Sequence, residues 1–214
     1  MPGVANHSLQ TGAAMNAAST DQIRALAQRA KVFGLDEDAT IPLDLRKVIA
    51  TANRDQRLLT AEELQRCCQW SGVDCAPLIN LQDHVPELVN RSRSALLSDE
   101  PDLVKPGGKL HPQERADACW RDCFHFLRVS LYGLALKRTE ITDREGMVAL
   151  AELYRLLDVP VPALLRALAH LRQHAMQAYA ELSSAGQAEA LGETVDHISN
   201  TIRHVMKRHE ANAL

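Results

Sequence analysis

Apolar side chains recur at three- and four-residue spacing through most of this chain, the pattern of amphipathic helices packed on one another. Ser19-Thr20-Asp21 opens a first short stretch with Ile23, Leu26, Ala27 and Ala30 on one face, predicted to end at Gly34, and Asp36 to Pro42 reads as a linker. Leu45, Val48 and Ile49 begin the next helix, Asn53 to Arg57 break it, and Thr60-Ala61-Glu62-Glu63 is a capping box in sequence. A stretch from Leu78 to Leu97 carries Pro86 as a kink or boundary, and a turn-rich block follows from Pro101 to Pro112. The longest uninterrupted pattern is predicted from Glu114 to about Leu136. Thr142 or Asp143 then caps a helix through Leu157, Pro160-Val161-Pro162 starts another to about Leu182, and a last one spans Gln187 to about Arg208. Seven or eight helices without a strand candidate predict an all-α fold.

Composition agrees, since only 4% of the 214 residues are aromatic and Ala and Leu dominate the apolar set. With 24 basic and 27 acidic side chains the net charge is −3, which gives no electrostatic reason to expect nucleic acid or an anionic membrane as partner. No apolar run is long enough to span a bilayer, and the first twenty residues lack the pattern of a secretory signal, so a cytoplasmic location is expected. Those residues are small, polar and aperiodic, which predicts a loose tail. The expected organisation is therefore an N-terminal tail and extra helix over residues 1–40, followed by one helical domain over 41–214. Five cysteines, Cys67, Cys68, Cys75, Cys119 and Cys123, fall inside helical patterns and read as reduced thiols.

Chemistry concentrates on the Glu114–Leu136 helix. With Cys119 at zero on a helical wheel, Trp120, Cys123, Phe124, Leu127 and Leu131 lie between about 40° and 140°, and Asp122, Phe126, Val129 and Gly133 between about 280° and 340°. The arc of Arg121, His125, Arg128 and Tyr132 alone is polar. Asp122 thus stands on an apolar stripe, where a carboxylate is costly unless hydrogen-bond donors or a cation meet it. Pairing with an arginine of a neighbouring turn is the ordinary fate of such an aspartate. Here Cys119 lies one turn before it and Arg115 one turn before that, so thiol, carboxylate and guanidinium border one groove. Such a groove suits a ligand with an electrophilic carbon, buried N–H donors and carboxylate tails.

Pro106-Gly107-Gly108, followed after ten residues by Cys119-x-Arg121-Asp122 and then by Leu127-Arg128 and Tyr132, resembles the bilin-attachment region of phycobiliproteins, especially the β-type chains of allophycocyanin and phycocyanin. Ala52 to Leu64 and the Asp143–Leu157 and Pro162–His174 helices follow in the family's order, so the resemblance covers about residues 42–210. It implies a globin-like phycobiliprotein fold with an N-terminal helical extension. It also implies that Cys119 forms a thioether with ring A of an open-chain tetrapyrrole, and that Asp122 bridges the central pyrrole N–H groups. Arg121 and Arg115 would hold the propionates and help ionise the thiol. Lys109, Trp120, His125 and Tyr132 complete the expected bilin-binding set, with the aromatic residues of this helix as walls of the ligand site.

The chain also departs from the pattern. Lys109 stands where β-type chains carry asparagine, Leu110-His111-Pro112 replaces a tyrosine-containing stretch, and about forty residues precede the first shared helix. The chain is similar as well to the phycobiliprotein-like globins found beside bilin-biosynthesis genes in non-photosynthetic bacteria. The resemblance thus implies a non-enzymatic bilin carrier or chromoprotein rather than an antenna subunit. Its pigment would be phycocyanobilin, phycoerythrobilin or a biliverdin-derived bilin, with haem oxygenase or a bilin reductase as biosynthetic partners. A homodimer is expected, because the apolar face of residues 45–49 and 58–64 needs cover unless the extension caps it. A haem-binding globin is the alternative, although residues 143–157 hold no histidine and His125 is the sole candidate near the site. A pigment-free interaction protein is another. His170 and His174, four apart, have metal-ligand spacing, but the zinc-protease glutamate is absent and a solvated face is the better reading.

Overall fold

The computed structural model describes residues 20–211, so the expected tail of residues 1–19 lies outside the described residues. Nine α-helices account for most of it: α1 (20–29), α2 (Leu43–Arg54), α3 (Ala61–Ser71), α4 (Cys75–Asp83), α5 (Val85–Asp99), α6 (Gln113–Ala135), α7 (Arg144–Leu156), α8 (Val161–Ala180) and α9 (Ala185–Ala211). The 27-residue α9, rather than the 23-residue α6, is the longest among them. α8 packs most extensively on α9 and α5, while α6 runs through the centre against α3, α4, α5, α8 and α9. That position explains why every residue of α6 from Phe126 to Ala135 is buried.

Several boundaries have identifiable causes. The Thr60 side chain accepts from the Glu63 amide while the Glu63 carboxylate accepts from the Thr60 amide at 2.8 Å, completing the capping box of α3. Arg57 also binds both Glu63 oxygens, at 2.6 and 2.8 Å. Thr60→Ala is expected to cost about 1 kcal/mol, read as a lower denaturant midpoint at unchanged slope. Pro86 marks a boundary: α4 ends at Asp83 and the proline occupies the first turn of α5, where its missing N–H costs nothing. Asp143 caps α7 by accepting from the Gly146 amide at 2.6 Å.

The N-terminal extension departs from its sequence reading. α1 stops at residue 29, and residues 30–34 leave the helix and pass against the link between α6 and α7. Phe33 forms an isolated antiparallel bridge with Thr142, the Gly34 amide donates to the Ile141 carbonyl at 2.8 Å, and the Asp143 amide donates to Val32 at 2.8 Å. Phe33 is fully buried and meets Tyr132 edge-on with centroids 5.5 Å apart. Branched Val32 and aromatic Phe33 are weak helix formers, and burial of the ring together with the two hydrogen bonds that make this bridge favours the non-helical path. Phe33, Leu35 and Ile41 therefore join the same core as α2 to α9.

The face proposed to need a dimer partner is also accounted for within the chain. Leu45, Ile49, Leu59 and Leu64 are all buried in that core, leaving Leu43 and Trp70 as the large exposed apolar residues of α2 and α3. His170 reaches across to α5, where its Nε2 lies 3.1 Å from Asp99 Oδ2.

Candidate functional site

One stripe of α6 builds the site. Arg115, the pair Ala118 and Cys119, Asp122, the pair His125 and Phe126, and Val129 follow one another about one helical turn apart, so they lie along one face of the helix. Two cavities open on this face. The first, about 230 Å³, has Cys119 and Asp122 on its floor, with walls from Leu110 of the loop before α6, from Leu157, Val159 and Pro160 of the α7–α8 turn, and from Leu164 of α8. The second, about 220 Å³, is lined by Asp122, His125, Phe126 and Val129 of α6, by Tyr154 and Leu150 of α7, by Asn53 and Gln56, and by Ala30 to Val32. Asp122 lines both, so the two cavities adjoin at this residue.

The Pro106-Gly107-Gly108 turn shapes one wall. Gly107 adopts φ +88°, and a Cβ on Gly108 would run into the carbonyls of Asp102 and Leu103, so each glycine answers a separate constraint. The turn sets Leu110, whose amide donates to Leu103 at 2.8 Å, under the cavity. Arg115 then braces the rim. Its Nε donates to the Lys109 carbonyl at 3.2 Å, one terminal nitrogen to the Leu157 carbonyl at 3.2 Å, and the other to the Asp158 carbonyl. Lys109 is exposed, with Nζ 3.3 Å from Asp158 Oδ2. Both cations thus tie the loop before α6 to the α7–α8 turn.

The carboxylate and thiol are held differently. Burial raises the Asp122 carboxyl above the usual carboxylate range, opposed by the Tyr154 hydroxyl, which donates to Oδ2 at 2.7 Å, and by the Arg121 charge. The partner that meets Asp122 is thus a tyrosine from α7, not an arginine of a neighbouring turn. Tyr154 is itself buried, and burial followed by the neighbouring carboxylate pushes its phenol well above its ordinary value. Cys119 is 6% exposed at the floor of the first cavity. Cys123 is fully buried, lines neither cavity, and is pushed up by its hydrogen bond with Cys119 and then by burial.

The remaining residues singled out in the sequence fall in different places. Arg121 is exposed. Trp120 is buried away from both cavities, with the Arg93 guanidinium of α5 5.8 Å from its ring centroid. Tyr132 is fully buried and lines neither cavity; its hydroxyl donates to the Arg57 carbonyl and accepts from Arg128 at 2.8 Å. Arg128 also donates to Asn53 Oδ1 at 3.1 Å and to His125 Nδ1 at 3.3 Å, so the polar arc of α6 anchors the α2–α3 link. The fold supplies aromatic walls to the second cavity alone, from Phe126 and Tyr154, while the first is walled mostly by aliphatic residues. Trp120 and Tyr132 lie elsewhere because their wheel positions face α5 and the α2–α3 link.

A family model described as Phycobilisome protein matches residues 47–202. The chain belongs to the phycobiliprotein family. Its all-α arrangement is the family's globin-like fold, extended at the N-terminus by residues outside the match. Among relatives of known name, this phycobiliprotein-family chain is 29% identical over 135 residues to allophycocyanin subunit beta-18 of Pyropia yezoensis, spanning 62% of this chain and 78% of that one. It is 26% identical over 159 residues to the allophycocyanin alpha chain of Mastigocladus laminosus, spanning 73% and 97% respectively. No helix among the described residues is long and apolar enough to cross a membrane.

Proposed function

We propose that this protein is a non-enzymatic bilin chromoprotein that carries an open-chain tetrapyrrole along the face of α6, joined to Cys119 by a thioether. The observation that carries the reading is the placement of one semi-buried carboxylate, Asp122, midway along a groove whose first half has Cys119 in an otherwise mostly aliphatic wall. The residues fit the group. A conjugated ring system needs apolar surfaces on its faces, and its pyrrole N–H groups need a carboxylate at their centre to offset the cost of burying that charge. The bilin supplies the visible absorption; the protein supplies attachment, extension and a counter-charge. Attachment is an addition: the Cys119 sulfur bonds to the exocyclic double bond of ring A and the thiol proton ends on the adjacent carbon, with no oxidant or reductant consumed.

Arg115 and Lys109 act here through the rim they brace, holding the two loops that flank ring A. A free carrier or chromoprotein role, in place of assembly into an antenna, is favoured by the N-terminal segment, which lies outside the family match and packs into the core. A homodimer through the exposed surface of α2 and α3 is compatible with Leu43 and Trp70 standing exposed there. Haem is the poorer fit, since His125 is set in the second cavity with Nδ1 engaged by Arg128. Co-expression with haem oxygenase and a bilin reductase is the test. Bilin absorption that copurifies with the protein and fluoresces with zinc after denaturation supports the reading, whereas a Soret band without bilin, or no pigment, overturns it.

Asp122→Asn gives a second, separable result. Because the folded carboxyl titrates above its unfolded value, its contribution is present below about pH 4 and is lost as pH rises through the folded value. Above the folded value the ionised carboxylate therefore opposes folding of the pigment-free protein. Asn is expected to raise the apoprotein melting temperature, by about 2–4 °C per kcal/mol recovered, while the pigment stays attached with a weaker, blue-shifted red band. An unchanged spectrum would exclude Asp122 as the counter-charge.

A further inference from the structure

The second cavity is closed by a part of the chain that the family match leaves out. Residues 30–32 form its roof, whereas the match begins at residue 47. This roof is fixed on both sides: Phe33 is locked into the core and bridged to Thr142, and the Lys31 carbonyl approaches α7 so closely that a Cβ on Gly146 would collide with it. Lys31 lies outward, its ammonium 3.1 Å from Asp36 and 2.7 Å from Glu37, so its charge is already answered.

Inside the chamber, the polar groups are mostly committed. Arg128 spends its guanidinium on Tyr132, Asn53 and His125. Because Arg128 donates to His125 Nδ1, the imidazole must carry its proton on Nε2, at the opposite edge of the ring. Burial first, then the Arg128 and Arg121 charges, push the imidazole down to about 4, so it stays neutral at physiological pH. The chamber therefore offers a neutral N–H donor of fixed tautomer beside an aromatic ring and a carboxylate, under an apolar roof of Ala30 and Val32.

We infer that this chamber is the seat of the distal pyrrolinone ring of the tetrapyrrole, with His125 Nε2–H donating to its lactam carbonyl and the Ala30–Val32 segment acting as its lid-like wall. The inference rests on the bilin reading above and adds to it a second subsite and a specificity element from outside the family match. The order along α6 carries it: thiol at Cys119, carboxylate at Asp122 and neutral donor at His125 fall on one face in steps of about one turn. That is the sequence of groups an extended tetrapyrrole presents, from the electrophilic ring through the central N–H pair to a terminal carbonyl. A buried charged group at the third position would instead suit a propionate, and the two cations that line the chamber, Lys31 and Arg128, are already engaged by other groups.

The test uses the purified full-length protein titrated with biliverdin, whose terminal rings are both lactams, followed by absorbance and induced circular dichroism. Val32→Trp and Ala30→Trp, which fill the chamber from its roof, are expected to weaken binding by about tenfold or more, with far-ultraviolet circular dichroism confirming the fold. His125→Leu keeps the bulk of the ring site and removes the donor; it is expected to shift the long-wavelength band and reduce its induced dichroism. Wild-type binding with both roof variants within about twofold of it would overturn the roof assignment, and an unshifted His125→Leu spectrum would overturn the donor assignment; either leaves the bilin reading standing. No binding of biliverdin or of co-expressed bilin by the wild type would overturn both.

Discussion

Cys119→Ala is expected to remove all pigment that survives denaturation while leaving the fold intact. The sulfur sits at the floor of a cavity already about 230 Å³ in volume, so deleting it enlarges a space instead of opening a new one in the packed core. The destabilisation should stay near 1 kcal/mol, well within the reserve of a domain of this size. Chemically the effect is all or none, because no other thiol lines either cavity. Cys123, one turn along α6, is fully buried, and its proton is held by the hydrogen bond with Cys119 and then by burial. Cys123→Ala should accordingly retain zinc-enhanced fluorescence on a denaturing gel. Cys119→Ser should behave as Cys119→Ala, since a hydroxyl is not ionised enough at neutral pH to add to the ring A double bond. Some reversible colour should remain in native Cys119→Ala, because Asp122 and the cavity walls are untouched. Covalent fluorescence persisting in that variant would place attachment at another residue and end the assignment.

Phe33→Ala is the second large effect, expected at about 3–5 kcal/mol, the range for an aromatic ring removed from a packed interior. The ring is fully buried, meets Tyr132 edge-on and belongs to the central core. Its loss also frees the bridge to Thr142 and with it the hydrogen bonds of Gly34 and Asp143. At about 2–4 °C per kcal/mol the melting temperature should fall by roughly ten degrees. A tail appended to an independent globin-like domain would show almost no change. The same measurement therefore decides the domain organisation: a single cooperative transition lowered by Phe33→Ala means residues 30–41 fold as part of the body, and an unaffected transition means they do not.

The two results bear on each other through Tyr132. Its ring packs under Phe33, its hydroxyl is held by Arg57 and Arg128, and Arg128 in turn orients His125. A residue expected from its position to touch the pigment instead joins the N-terminal segment, the α2–α3 link and the second cavity into one packed unit. The buried guanidinium of Arg128 is satisfied by neutral oxygen and nitrogen acceptors, so the cluster depends on every member being present.

Local chemistry made much of the fold legible. Thr60 with Glu63, Asp143 with Gly146 and Pro86 in the first turn of α5 are contacts between residues at most three apart, and short-range rules predict them. α6 was recognisable because an apolar pattern around most of its circumference demands neighbours on every side. The stripe of Arg115, Cys119 and Asp122 followed from helical periodicity alone. Tyr154, 32 residues from Asp122, carried no comparable signal, nor did the aliphatic walls at Leu157, Val159, Pro160 and Leu164. The path of residues 30–35 was misread as helix and linker because its partners, Ile141 to Asp143, lie more than a hundred residues away.

By itself the sequence determined the all-α class, most helix starts, the family resemblance, and the thiol and carboxylate that share one face of α6, since these depend on propensity, capping, motif and spacing along the chain. Tertiary structure alone decided which partner meets Asp122, which residues wall the two cavities, that Trp120 and Tyr132 face elsewhere, and that the N-terminal segment roofs the groove. Those outcomes depend on which faces of distant helices come together, and burial free energy is settled only when they do.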